Sequence, residues 1–336
     1  MAAHLGTASA VDRALHSAAE DATLAPSVHN TQPWLMVVGP TWIDVRADRS
    51  RGLAVLDPTG RDLEISCGAA VTALSVSLTA AGLPSETALL PDPADPDLLA
   101  RVSLLTGAAP PTVEDLVLAA AIGARHSNRR PFLPLDVTAN QLQAVLDAGR
   151  GPGVWVSAVV DPDRRVAVAV LIQHAEDLQT KNDGYRDELL AWTDRVGTGD
   201  GIPAGTVPAH GSPWDRGDVP IRDFAGAIPG GGGLPARTQS NRSETLLIVG
   251  TDGTADDTRD HLLAGAAMMR VLLQATAEGL VCSLLTGVTE VPFMRARLRV
   301  ELDTIGVPQV VLRMGVAESV APTPRRPLTD SVVDSR

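Results

Sequence analysis

The chain has 336 residues, of which 44% are hydrophobic, so it can form two domains of ordinary size with sizeable buried cores. Its net charge of -12, without any basic block, excludes an electrostatic fit to nucleic acid or to an anionic membrane, which leaves small molecules as expected partners. Cys67 and Cys282 lie in apolar runs without the spacing of a disulfide framework or a zinc site, which predicts a reducing cytoplasm.

The first third of the chain predicts alternating helices and strands. Residues 10–23 carry apolar side chains at helical spacing, and Pro26 ends that helix. LMVVG, IDVRAD and ARVSLLTG read as strands. Between the last two lies the uncharged stretch ISCGAAVTALSVSLTAAGLPS, whose many small and hydroxylated residues favour a buried core helix over a membrane span.

A loop rich in Ala and Pro, GAAPPTVED, separates this part from the next, so the expected units are residues 1–108 and 112–330. In the second unit VEDLVLAAAIGAR and NQLQAVLDAG predict helices, GVWVSAVV a strand, and residues 162–193 a long helical region. ETLLIVGT resumes as a strand and DHLLAGAAMMRVLLQATAEGL follows as a helix. PFMRARLRVEL, QVVLRMGVAES and PTPRRPL then complete the pattern.

The two units echo each other weakly in sequence. A helix that ends in AAGLP near residue 80 is matched by one that ends in AEGLV near residue 280, and each is followed by a strand. This suggests a duplicated α+β unit. The echo is interrupted at residues 194–239, which are rich in Gly and Pro and predict a lid, an arm or a disordered insert.

One polar cluster is GARHSNRRPF, which places Arg125, His126, Ser127 and Arg129 at the end of a helical run. Guanidinium forks and a hydroxyl suit a ligand that carries phosphate, although a solvated helix end explains the composition equally well. The tract PTPRRPL repeats the Arg-Arg-Pro pattern on a stretch stiffened by proline. Taken alone, that tract indicates a surface tail.

A second polar cluster is the turn APSVHNTQPW, which we call the amide turn (residues 25–34). The amides of Asn30 and Gln32 can each donate and accept, as the edge of a heterocyclic ring requires, and Trp34 offers a flat apolar face. By composition alone, a capped turn with Trp34 in the core is slightly favoured. HExxH, paired-cysteine and GxSxG patterns are missing, so metal catalysis and hydrolase triads have no support.

Together these pieces resemble the FMN-dependent nitroreductase superfamily. In that family an R-[RH]-S-x-[RK] start grips FMN, a P-S-x-x-N-x-Q-P-W turn from the partner subunit borders the ring, and a tail like PRRPL reaches the phosphate. Within it, the chain resembles the Acg-like nitroreductase-like proteins of mycobacteria, long single chains that carry two such units. The resemblance implies a nitroreductase-like α+β fold in which two repeated units form an intramolecular pseudo-dimer.

Carried over motif by motif, the resemblance implies a set of residues that bind FMN. They are Arg125, His126, Ser127 and Arg129 from the second unit, Pro26, Ser27, Asn30 and Gln32 from the amide turn, Leu284, Leu285, Thr286 and Gly287 from a loop whose backbone amides face the flavin, and Arg325 or Arg326 from the tail. The family needs no catalytic side chain and no metal, because flavin N5 carries the chemistry.

Each unit carries only one of the two main motifs. The first has the amide turn without the Arg-His-Ser start, and the second has the reverse. One motif and its complement make one complete site, so we expect one FMN per chain, a degenerate second site and a monomer.

Two functions then follow. The first is an oxidoreductase that passes electrons from NAD(P)H to a nitroaromatic or a quinone. The second is a flavin-sequestering or storage protein, with the insert at 194–239 as a lid over FMN and little turnover. An arginine-rich anion binder without flavin is a weaker third interpretation.

Overall fold

The structure is a computed structural model, and it describes residues 9–129, 132–193, 195, 197–203, 244–253, 255–318 and 322–335. Most of the insert predicted at 194–239 therefore lies outside the described residues, as does Arg130. Within the described part, helices and two separate sheets confirm the predicted α+β class.

The first unit contains α1 (Ala10–Ala22), β1 (Trp34–Val38), β2 (Trp42–Ala47), α2 (Arg61–Ala80), β3 (Ser85–Leu89) and β4 (Leu98–Leu104). Ser9 caps α1, because its side chain accepts a hydrogen bond from the Asp12 amide at 3.0 Å. After α2 the chain turns at Gly82, whose φ of 75° is the left-handed conformation that favours glycine at a helix end. The strand β3 was not predicted as a separate element.

The expected second unit contains α3 (Val113–Ala124), α4 (Ala139–Gly149), β5 (Val154–Val159), α5 (Pro162–Thr180), α6 (Asp183–Ala191), β6 (Thr245–Thr251), α7 (Thr258–Ala277), β7 (Val281–Leu284), α8 (Gly287–Glu290), α9 (Pro292–Leu302) and β8 (Val307–Gly315). The strand β9 (Val332–Asp334) lies after the end of that unit. The helical region predicted at 162–193 is thus two helices, because Asn182 caps the start of α6. Gly279, with a φ of 75°, ends α7 as Gly82 ends α2.

The two sheets share one strand order. The first runs β3-β4-β2-β1-β9 and the second β5-β6-β8-β7, so β1, β2, β4 and β3 match β5, β6, β8 and β7. Every matched neighbour pair is antiparallel, and the register shifts at Val45/Arg46 in one sheet and at Val249/Gly250 in the other. The two sheets therefore repeat one topology, as the suggested duplication requires, and the pseudo-dimer itself stays a prediction.

The chain crosses back to the first sheet at its far end. Strand β9 pairs in parallel with β1, and Met36 lies opposite Val332. The segment that precedes β9, residues 322–331, consequently lies against the first unit rather than the second. This crossing carries the Arg-Arg tract to the amide turn.

The central helices α2 and α7 cross at two glycines, Gly68 and Gly265, that lie 197 positions apart. A Cβ on Gly68 would lie 2.2 Å from the Leu262 carbonyl oxygen, and a Cβ on Gly265 would lie 2.0 Å from that of Ile65. Since Ile65 and Leu262 are also 197 positions apart, the contact is reciprocal, as in an interface with two-fold symmetry.

Helix α2 contains the uncharged stretch of the sequence analysis, which follows Arg61, Asp62 and Glu64 in its first turn. Among the described residues it is the one helix long and apolar enough to cross a membrane, yet most of it is buried inside the fold. It packs on α7, α1 and α3. In this structure α2 is therefore a buried core helix, as the sequence favoured.

A buried polar network joins the first turns of the two central helices. Glu64 Oε2 lies 2.7 Å from His261 Nδ1, and His261 Nε2 lies 3.2 Å from Asp256 Oδ1. Burial lowers the pKa of His261, but the hydrogen bonds to Asp256 and Glu64 raise the pKa by more, so it lies above its ordinary value. Arg295 and Gln309 also contact Asp256 and complete the network.

Candidate functional site

The amide turn holds an unusual backbone. His29, Asn30 and Gln32 have φ values of 50°, 57° and 51°, a region that residues other than glycine rarely enter. The turn is closed by the Gln32 amide, which donates to Ser27 Oγ at 2.9 Å. Pro26 is buried beside it, and Trp34 lies fully in the core. Backbone strain of this kind persists where the surroundings fix it, which makes the turn a candidate functional element.

The side-chain amides of Asn30 and Gln32 are both occupied by the chain itself. Asn30 Nδ2 donates to the carbonyl oxygens of Gly201 and Pro324, at 3.1 Å and 3.0 Å. Gln32 Nε2 donates to the Gly199 carbonyl at 2.9 Å. In this structure these amide nitrogens therefore donate to carbonyl oxygens of the chain, and their contact with FMN stays a prediction. They hold residues 197–203 and the tail against the turn.

The tract with Arg325 and Arg326 is not a free surface tail. Arg325 Nε donates to the Thr23 carbonyl at 2.8 Å and Nη2 donates to the Leu24 carbonyl at 2.8 Å, which satisfies acceptors at the end of α1. Arg325 Nη1 also lies 3.3 Å from Asn30 Oδ1. The Arg326 amide donates to Gln32 Oε1 at 3.0 Å. Both predicted tail cations are thus tied to the amide turn.

Arg125, which follows α3, reaches the same place from the second unit. Its Nη2 donates to the Leu24 carbonyl at 2.8 Å, so Arg125 and Arg325 share one acceptor. The side chain is 5% exposed, and its Nε and Nη1 are buried without a hydrogen-bond partner among the described residues. Two buried guanidinium nitrogens without acceptors are costly, and an anion would satisfy them.

The cations at this point repel one another. Burial, followed by the charges of Arg125 and Arg129, lowers the pKa of Arg325 to about 9. Burial also lowers the pKa of Arg125 and of Arg129 to about 10. The pKa of His126 is lowered by burial and then by Arg125 and Arg325, so its ring is neutral near pH 7. Three guanidinium groups from two separate segments therefore form what we call the arginine cluster (Arg125, Arg129 and Arg325).

The Arg-His-Ser run continues beside β7. Ser127 forms an isolated bridge with Cys282, and the Asn128 amide donates to the Cys282 carbonyl at 2.8 Å. This places the run next to the strand that leads into Leu284, Leu285, Thr286 and Gly287. The Leu285 amide donates to the Val311 carbonyl at 2.8 Å, so the sheet uses it. The prediction of a ligand-facing amide is wrong for Leu285 and stays a prediction for Thr286 and Gly287.

An ion-pair cluster beneath the turn gave no signal in the sequence. The guanidinium of Arg51 bonds the Thr31 carbonyl and pairs with the buried carboxylate of Asp200. Arg195 Nε lies 3.0 Å from Asp200 Oδ1, and its guanidinium stacks 4.5 Å from the Trp192 ring centroid. These contacts fix residues 197–203 on the turn. An aspartate within GTGDG gave no signal of burial.

The donor set of this site fits a phosphate-bearing ligand. Its charged groups are guanidiniums, which can each bind two phosphate oxygens. Burial lowers the pKa values of Arg125, Arg129 and Arg325, and within the described part of the chain the neighbours that also shift those of Arg125 and Arg325 are not carboxylates. The hydroxyl of Ser127 and the neutral ring of His126 add polar groups that carry no opposing charge. The site therefore has the chemistry to hold an anionic cofactor between the two units.

Comparison with known proteins gives relatives along most of the chain. A candidate NAD(P)H nitroreductase of Mycobacterium tuberculosis, Rv3131, is 34% identical over 321 residues, which cover 93% of this chain and 88% of the relative. Another candidate NAD(P)H nitroreductase of the same organism, acg, is 29% identical over 326 residues, which cover 94% of each chain. No family model matches the chain.

Solved structures of nitroreductases are also similar, at lower levels. The FMN-dependent nitroreductase NfnB from Mycobacterium smegmatis, in complex with NADPH, matches with a TM-score of 0.39 and 16% identity, over 66% of this chain and 99% of that one. A nitroreductase with bound FMN from Bacteroides fragilis matches with a TM-score of 0.35 and 17% identity, over 61% and 90%.

Proposed function

Because this chain belongs to the nitroreductase family, as its 34% identity to Rv3131 over 93% of its length shows, we propose that it is an FMN-dependent NAD(P)H oxidoreductase. Its acceptor is a small molecule of the nitroaromatic or quinone class. The observation that carries the proposal is the buried guanidinium of Arg125, which has two unpartnered nitrogens beside the cation of Arg325.

The arginine cluster binds the FMN phosphate in this proposal. Arg125 and Arg325 both donate to the Leu24 carbonyl, so their guanidinium forks lie close together, and Arg129 adds a third positive charge. Ser127 and the neutral His126 contact the ribityl chain and the pyrimidine edge. Asn30 and Gln32 are positioning residues, because they hold the tail that presents Arg325 and Arg326.

When bound, FMN supplies hydride transfer at its N5 atom, which is the chemistry that the family performs. The chain's own residues bind and orient the group and need not exchange a proton with it. Residues 197–203 lie over the amide turn and limit access of water from that side.

We further propose that the two units form an intramolecular pseudo-dimer with one flavin. The repeated strand order and the reciprocal contact of Gly68 and Gly265 support a pseudo-two-fold arrangement, and only one end of it carries the amide turn and the arginine cluster. Such a chain is complete as a monomer. Two free, buried cysteines agree with a reducing, cytoplasmic setting.

A flavin-sequestering protein is the second candidate function. The observation that favours it is the packing of Gly199 and Gly201 against Gln32 and Asn30, which begins the predicted lid on the site itself. Deletion of residues 204–236 separates the two functions. A sequestering protein gains NADPH-dependent flavin reduction on deletion, whereas an enzyme whose acceptor reaches FMN freely keeps its rate.

The main experiment is the visible spectrum of the purified chain, followed by anaerobic addition of NADPH. We expect a yellow protein with one FMN per chain, bleached within seconds to minutes. Arg125→Gln should lose at least tenfold in FMN affinity, because a charge-assisted contact to phosphate is worth about 1.5–3 kcal/mol. The matched control is Arg297→Gln, at an exposed position on α9. A colourless protein that FMN cannot reconstitute would refute the proposal.

A further inference from the structure

A second cavity lies away from the arginine cluster, between α2, β3, α3, α7 and the turn that precedes β5. Its volume is about 760 Å³, within the range of sites for small organic molecules. Its walls are largely apolar and include Val71, Val76, Leu118, Leu262 and Leu263. A cavity of this size and composition accommodates an aromatic ring or a short acyl chain.

The repeat relates this cavity to the candidate FMN site. Thr87, Ala88 and Leu89 line the cavity. Residues of α2 and α7 that match in the repeat are 197 positions apart, and with the same offset these three residues correspond to Leu284, Leu285 and Thr286. When β5 is matched to β1 through its strand pairing, the lining residues Gly151 and Pro152 correspond to Thr31 and Gln32. The cavity therefore occupies the position that corresponds to the candidate FMN site in the other half of the molecule.

The groups that recognise a flavin are replaced at this position. Asn30 corresponds to Arg150, whose guanidinium turns away to Asp147 at 2.5 Å. Gln32 corresponds to Pro152, which has no donor, and Thr286 corresponds to Leu89. The cavity thus lacks the amide groups of the first site. We expect it to select a less polar ligand than FMN.

Two cations line the cavity, both on one stripe of α7. Arg259 and Arg270 are exposed, lie three helical turns apart, and have no ion-pair partner within the described part of the chain. Arg270 lies beside Gly151, with Nη1 3.9 Å from where a Cβ would stand. Among the described residues Asp115 is the one acid in the wall, and it already accepts hydrogen bonds from the Thr112 amide and hydroxyl at 2.8 Å and 2.7 Å. On a chain with a net charge of -12, this local positive surface favours an anion.

We propose that this second cavity binds a small amphipathic organic anion, with its apolar body between α2 and α7 and its carboxylate or phosphate at Arg270. Arg259, about 16 Å along the helix, attracts the same anion at longer range. The site is separate from the arginine cluster, so the chain can hold FMN and this ligand together. This inference rests on the proposed position of the FMN site, and it does not depend on electron transfer by FMN.

Calorimetric titration of the FMN-saturated full chain tests this proposal, with 1-naphthyl phosphate in one arm and decanoate in the other. Binding of either probe with one site per chain supports the proposal and shows which of the two anions the cavity prefers. Arg270→Gln should weaken binding by roughly tenfold, because it removes a charge-assisted contact. Arg259→Gln should weaken it by a smaller factor, and the exposed control Arg297→Gln should leave it unchanged.

Three results would overturn the proposal. They are the failure of both probes to bind, binding that Arg270→Gln leaves unchanged, and a ratio of two FMN per chain, which would assign the cavity to flavin. FMN content reports folding of each variant, because the arginine cluster lies elsewhere. A second variant, Ala266→Phe, fills the cavity from α7 and should abolish probe binding while FMN content stays at the wild-type value.

Discussion

The turns before β1 and β5 occupy matching positions in the two halves, yet they differ in almost every physical property. The first contains three residues other than glycine at positive φ, buried amides and bonds to two distant segments. The second contains glycines and an exposed proline, and its arginine forms an exposed ion pair with Asp147. The strands that follow the two turns are nevertheless paired in the same order.

This difference separates what the fold requires from what a site requires. Both halves keep the strand order, the central helix and the glycine at its crossing, because close packing tolerates little change there. The second half packs in the same way without the polar side chains of the amide turn, so the fold does not require them. Four predictions test this division between scaffold and site.

The largest effect should come from Gly265→Ala at the helix crossing. Its Cβ would lie 2.0 Å from the Ile65 carbonyl oxygen, so α2 and α7 would have to separate. We expect a loss of about 3 kcal/mol in the free energy of unfolding, measured by urea titration. Gly68→Ala should cost a similar amount if the crossing is reciprocal. The control is Gly123→Ala on α3, where no atom lies within 4 Å and stability should rise by up to about 1 kcal/mol.

Next in size is Asn30→Ala, which acts on the turn that only the first half possesses. It leaves the Gly201 and Pro324 carbonyls without their donor and places alanine at a φ of 57°. We expect the FMN dissociation constant to rise roughly tenfold, measured by fluorescence on titration of the apoprotein. Asn30→Gly removes the same amide without backbone strain, so an equal loss in both variants would assign the effect to the amide. Retention of FMN by both variants would remove the turn from the site.

The pH dependence of stability should be smaller, and it reports on the network that joins the halves. The pKa of His261 is raised in the folded chain, so the stabilisation is fully present below the ordinary histidine value and is lost as pH rises through the folded one. Urea midpoints between pH 5 and pH 9 should therefore fall with increasing pH. Glu64→Gln, which removes one carboxylate partner, should flatten this dependence. A wild-type midpoint that rises steadily over this range would contradict it.

The smallest effect is expected from the double substitution Arg150→Asn and Pro152→Gln, which copies the amides of the first turn into the second. Both positions are exposed, so the free energy of unfolding should change by less than about 0.5 kcal/mol. FMN content should stay at one per chain, because the arginine cluster is not copied with them. A second bound flavin would show that the amides alone specify the site.

Much of the fold follows from local sequence signals. The ends of α2 and α7 are marked by Gly82 and Gly279, and the apolar runs of β6 and β8 are buried strands. Strand β3 gave no such signal, since its middle residues are exposed and it lies at a sheet edge. Strand β9, with three residues, owes its conformation to β1 and could not be inferred from its own sequence.

The site was predictable only in part. The motifs identified which segments belong together, and the structure brings Arg125, Asn30 and Arg325 to one place. The partners of Asn30 and Gln32 were not predictable, because an amide satisfied by backbone carbonyls looks the same in sequence as one that awaits a ligand. The role of Asp200 was hidden for a similar reason, since its partner Arg51 lies 149 positions away.

The pair formed by Glu64 and His261 has a further consequence. These two residues stand at matching positions of the central helices and meet at 2.7 Å. A homodimer would have to set identical side chains face to face on its symmetry axis, so two copies of the first half would oppose two carboxylates. A single chain with two halves can instead place an acid against a base there. Pairing of unlike halves thus gains a hydrogen-bonded acid and base, whereas pairing of two first halves would bring two carboxylates together.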